Sequence, residues 1–145
     1  MKLKCCLLPL IALAMVCLPQ SAARAGEAED IFNRCVASLE VMVKRCQDAN
    51  KAVVEECTPQ IKALLEAGKR DEARALAERC IRRIREQSAA CIRHIHERCE
   101  MCIHKLRELG ATELAERLAE KCRLSVRAVE ISRGRAVVAI RKLFL

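Results

Sequence analysis

Residues 80–102 read CIRRIREQSAACIRHIHERCEMC, and residues 35–57 read CVASLEVMVKRCQDANKAVVEEC. Both stretches carry a cysteine every 11 residues, at 35, 46 and 57 and at 80, 91 and 102. Eleven residues make three helical turns with only about 20° of drift, so three such cysteines stay on one side of a helix, about 16 Å apart. Paired in opposite directions the two sets share one sum: 35+102, 46+91 and 57+80 all equal 137. The midpoint falls at Gly68. Cys99 and Cys122 sum to 221, with their midpoint at Gly110. Two helical hairpins follow, each folded at a glycine.

The expected fold class is therefore all-α: an antiparallel up-down-up three-helix bundle, two consecutive helical hairpins sharing the middle helix, stapled by disulfides. Eight cysteines allow on the order of 100 connectivities. The constant sums select Cys35–Cys102, Cys46–Cys91, Cys57–Cys80 and Cys99–Cys122. A repeat with a 42-residue offset supports this: Gly68, Ala73, Leu76, Ala77 and Cys80 correspond to Gly110, Ala115, Leu118, Ala119 and Cys122.

The apolar pattern places the helices. Phe32, Cys35, Leu39, Met42, Cys46, Val53, Cys57 and Ile61 repeat at helical spacing, which predicts a first helix from about Ala28 to Glu66. Pro59 cannot donate to the Glu55 carbonyl and should kink this helix without ending it. Asp71 and Thr112 suit N-caps, giving a second helix over about Glu72–Leu109 and a third from about Glu113 to the end. On the second helix, the stripe through Cys80, Cys91 and Cys102 lies about 60° from the stripe through Cys99, which describes a closed triangle of helices. Asn50, Gln87, Ser88 and Arg133 fall level and should form one polar layer.

Residues 1–25 read as a secretory signal. Lys2 and Lys4 precede an apolar run from Cys5 to Leu18, too short to span a bilayer comfortably, and Ala23-Arg24-Ala25 is a small-x-small cleavage site. Cleavage after Ala23 is the alternative to cleavage after Ala25. The bundle domain is then 26–145, exported to a periplasmic or extracellular setting, with no transmembrane segment left after cleavage. Removing Cys5, Cys6 and Cys17 takes 11 cysteines to 8, an even number in an exported chain, which favours disulfides.

Charge is uneven. Residues 26–66 carry 5 basic and 8 acidic groups; residues 67–145 carry 19 and 11. Arg123, Arg127, Arg135, Arg141 and Lys142 form the basic surface expected on the third helix, and Arg82-Arg83-Ile84-Arg85 adds to the second. With no Trp or Tyr and two Phe, base stacking has no platform, so nucleic acid is not an expected partner. An anionic envelope surface or an acidic protein suits these helices better, by charge alone.

No catalytic constellation stands out. The serines have no His-carboxylate set near them, and no glycine-rich phosphate loop is present. The expectation is a scaffold or protein-interaction module that is not an enzyme and needs no cofactor. The alternative is a thiolate protein for Cu(I) or Zn, since soft thiolates select such ions. His94, His96 and His104 lie at about −80°, +120° and −160° from Cys102 around the helix, so they do not converge with it on one ion. No metal site is assigned.

Overall fold

A computed structural model describes residues 17–145. Three helices follow in order: α1 is Cys17–Glu66, α2 is Arg70–Glu108 and α3 is Thr112–Arg141, closed by a 3-10 turn over Lys142–Phe144. Each helix packs on both others, so the bundle is the closed triangle that the two stripes on α2 require. There are no strands among the described residues.

The two turns are the same structure used twice. Gly68 and Gly110 both have φ of 73°, the left-handed region that costs glycine nothing. The Lys69 amide donates to the Leu64 carbonyl at 2.9 Å and the Gly68 amide to Leu65 at 3.1 Å. Ala111 repeats the first bond to Leu106 at 2.9 Å, and Gly110 the second to Arg107 at 2.9 Å. This paired pattern satisfies the last carbonyls of each outgoing helix. It also corrects the expected caps. Lys69 and Ala111, not Asp71 and Thr112, hold the N-cap positions. The turn is so short that their carbonyls already accept from Ala73 and Ala115, both at 3.0 Å. Asp71 sits in the first turn instead, where its charge complements the helix dipole.

Pro59 lies inside α1, which continues to Glu66. The Thr58 hydroxyl donates to the Val54 carbonyl at 2.6 Å in the turn that the proline disturbs. At the amino end α1 begins earlier than the apolar pattern suggested, running through 17–25 without a break. Most of the expected signal, residues 1–16, lies outside the described residues. No helix among them is long and apolar enough to cross a membrane.

The core is divided. One cluster gathers Phe32, Cys35, Leu39, Ile95, Cys99, Leu106, Leu118, Cys122 and Val129. A second gathers Val53, Cys57, Ile61, Cys80, Ile84, Val137 and Ile140. Between them lie Asn50, 1% exposed, and Ser88, fully buried. The Asn50 amide donates to the hydroxyls of Ser88 at 3.2 Å and Ser132 at 3.1 Å, while its carbonyl oxygen accepts from Gln87 at 2.7 Å. The polar layer exists, but α3 contributes Ser132 and not Arg133. One residue is about 100° of helix rotation. That rotation aims the short Ser132 hydroxyl inward and leaves Arg133 half-buried at the side.

Candidate functional site

Eight cysteines lie on the helix seams, in two chemical states. Cys57–Cys80 joins α1 to α2 with Cα atoms 6.6 Å apart, and Cys99–Cys122 joins α2 to α3 at 6.2 Å. Cys35, Cys46, Cys91 and Cys102 are thiols in this structure, so the expected Cys35–Cys102 and Cys46–Cys91 bonds are not formed. The register is nevertheless the expected one, because each thiol faces its constant-sum partner: Cys35 meets Cys102 and Cys91 meets Cys46. A disulfide needs Cα atoms closer than the usual 8–10 Å between helix axes. Seven residues before Cys80 and Cys122 stand Ala73 and Ala115, both buried. Phe32 and Leu39 flank Cys35 on its own face, and Leu106 flanks Cys102.

Burial pushes the Cys35 thiol up to about 12; the facing Cys102 thiol adds to this, and the Arg98 guanidinium pulls the other way. Burial likewise raises Cys91 to about 12, with Cys46 adding to it. The Cys91 thiol also donates to the Met42 carbonyl at 3.6 Å. A thiolate in so apolar a setting loses its hydration without gaining a full counter-charge. The Nε of Arg98 is buried and finds no hydrogen-bond partner among the described residues.

The helical angles set the three histidines, His94, His96 and His104, on different faces, and the structure leaves all three exposed. His104 Nε2 lies 3.0 Å from Glu108 Oε1. Among the described residues no group of three or more His, Cys, Asp or Glu side chains is placed to share a metal ion.

The basic residues of α3 are exposed but do not form one patch. Arg123 is engaged: its Nε and an Nη contact the two oxygens of Glu120 at 2.9 and 2.6 Å. These hydrogen bonds hold the Glu120 carboxyl below its ordinary range. Arg127 shares the α2–α3 groove with Arg123, but Glu100 and Glu130 line it too, so two arginines meet two carboxylates there. Arg135 faces α1 instead, beside Lys51 and Ile131. Arg141 lies at the far end of the α2–α3 groove with Arg74, Arg82 and Arg85, a gathering that the sequence reading did not assemble. The signal was present in helical spacing along α2, but joining it to Arg141 needs the α2–α3 register.

Compared with known protein families, with curated proteins and with solved structures, the chain matches none of them.

Proposed function

We propose that this chain is an exported, disulfide-stabilised helical scaffold or protein-interaction module without catalytic activity. In this reading it meets an acidic partner or an anionic envelope surface through the basic helices α2 and α3. The observation that carries the proposal is the double staple. Each turn is closed by a disulfide spanning 23 residues, and such loops gain roughly 3 kcal/mol from the bridge. Bonds of this kind persist in oxidising compartments, which supports export. They also suit a core almost free of aromatic side chains, with Phe32 alone in the larger cluster. The charge split between 26–66 and 67–145 supports the direction of the partner. Charge reversal tests it: replacing Arg123, Arg127 and Arg135 by Glu should weaken binding to anionic vesicles, and salt should do the same. A protein that ignores such vesicles at low salt removes the membrane partner.

A second reading has its own observation. Cys35 with Cys102, and Cys46 with Cys91, are facing thiol pairs, and paired thiolates are ligands for Cu(I). Metal content after purification without reductant separates the readings. Bound copper or zinc with free thiols favours the metal reading, and metal-free protein favours the scaffold.

A further inference from the structure

The groove between α2 and the carboxyl end of α3 is lined by Arg74, Arg82, Arg85 and Arg141, with Ile81 and Phe144 beside them. Glu78 is the single carboxylate among its lining residues, so four cations face one anion, a balance of 4 − 1 = +3. Within 4 Å, none of these arginines pairs with a carboxylate among the described residues. The groove lined by Arg123 and Arg127 is different, because its two arginines face two glutamates.

The register explains the convergence. The Cys99–Cys122 bridge sets α2 against α3 with a sum of 221, which places Arg141 level with Cys80 (141 + 80 = 221). At 1.5 Å per residue, Arg82 is about 3 Å along α2 from that level, Arg85 about 8 Å and Arg74 about 9 Å. Around α2, Arg74 and Arg85 are about 20° apart, with Arg82 about 60° beyond Arg85. Arg85 and Arg74 lie on opposite sides of that level, about 17 Å apart along α2, so the four arginines line a groove of about that length with Arg82 and Arg141 near its middle. Cys57–Cys80 crosses the bundle at the same level and ties α2 down there. Like charges lining one groove repel, and an anion among them turns that repulsion into attraction. That all four cations are arginines is informative: the planar fork of N–H donors matches phosphate oxygens two at a time.

We infer that this groove binds a phosphomonoester dianion, whether free in solution or carried on a lipid headgroup. Three net positive charges accommodate a dianion. Ile81 and Phe144 offer an apolar wall to the carbon skeleton that bears the phosphate. The proposal rests on the reading of α2 and α3 as the anion-facing side, but it assigns the binding to one end of that side.

Titration of the disulfide-bonded chain with glycerol 3-phosphate, beside sedimentation with vesicles containing phosphatidate or phosphatidylglycerol at equal surface charge, tests it. Binding of glycerol 3-phosphate, or preference for phosphatidate over the diester lipid, is the expected result. Binding to vesicles alone marks the lipid as the source; binding of both probes marks the phosphate itself. The variant Arg82→Gln/Arg85→Gln/Arg141→Gln should lose at least about tenfold in affinity, and Arg123→Gln/Arg127→Gln less than about threefold. The substituted arginines are exposed, and an unchanged helical spectrum and melting temperature certify the fold. Equal losses in both variants, or none in the first, overturn the groove while leaving a diffuse anionic partner standing. No binding of any probe by the unmodified chain overturns both.

Discussion

Asn50 of α1 and Ser132 of α3, 82 residues apart in the chain, are joined by a 3.1 Å hydrogen bond inside the bundle. The same amide also serves Ser88 of α2, so one side chain ties all three helices at one level. Above and below it the core is apolar. A buried amide with partners on two helices favours one axial register over slipped ones, because a slip leaves it unpaired.

Asn50→Ala should therefore lower stability by about 2–3 kcal/mol, since it leaves the buried hydroxyl of Ser88 and the amide of Gln87 short of partners. Ser132→Ala should cost about 1 kcal/mol, because Asn50 keeps Ser88 and Gln87. Urea unfolding followed by circular dichroism measures both. Equal small losses would mean that the layer is wet and does not hold the register.

The glycines should answer substitution in opposite directions. Gly134 sits within helix α3, and a Cβ added there meets nothing within 4 Å. Gly134→Ala should stabilise by about 0.5–1 kcal/mol by removing backbone freedom from the unfolded chain. Gly68 and Gly110 also have open space, but at φ of 73°. Gly68→Ala or Gly110→Ala should cost about 1–2 kcal/mol through the left-handed backbone alone. Thermal melts of the three variants decide this.

The thiols predict an alkaline weakness. In the unfolded chain Cys35 and Cys91 ionise from their ordinary 9.0, while the folded chain holds both protonated up to about 12. Between those values the unfolded state binds fewer protons, so stability is complete below pH 9 and declines as pH rises toward 12. The slope is at most about 1.4 kcal/mol per pH unit for each thiol. Cys35→Ala/Cys91→Ala should flatten it. A chain whose Cys35–Cys102 and Cys46–Cys91 pairs are oxidised has no such thiols to titrate, and the variant would then leave the alkaline profile unchanged. Peptide mapping of the unreduced protein gives the connectivity directly, with Cys57–Cys80 and Cys99–Cys122 expected in it.

Removing each staple separately should also be informative. Cys57→Ala/Cys80→Ala and Cys99→Ala/Cys122→Ala should each lower stability by roughly 3 kcal/mol, with a lowered melting temperature to match. The loops are the same length, so unequal losses would show that packing around the bridge matters more than loop closure.

Much of this protein is written in local pattern. The 3–4 spacing of apolar residues sets three helices, and glycine at 68 and 110 sets two turns, because both depend on residues within a turn or two of each other. The 11-residue cysteine spacing carries further, since the number of turns between cysteines survives any rigid packing of the helices. It reaches the opposed positions of all four cysteine pairs and the two bridges formed. Other features depend on how far each helix is rotated about its axis and how closely it approaches its neighbour, quantities summed over whole interfaces. Rotation of α3 selects Ser132 over Arg133 for the polar layer. Which facing cysteines are bridged, Cys57–Cys80 and Cys99–Cys122, and which are thiols is seen only in the folded chain. The α2–α3 register brings Arg141 to Arg74, Arg82 and Arg85, while Arg123, its neighbour in the sequence reading, is taken up by Glu120. A charge on a helix is legible in one dimension, but the charges it meets are fixed only by the packing of a second helix against it.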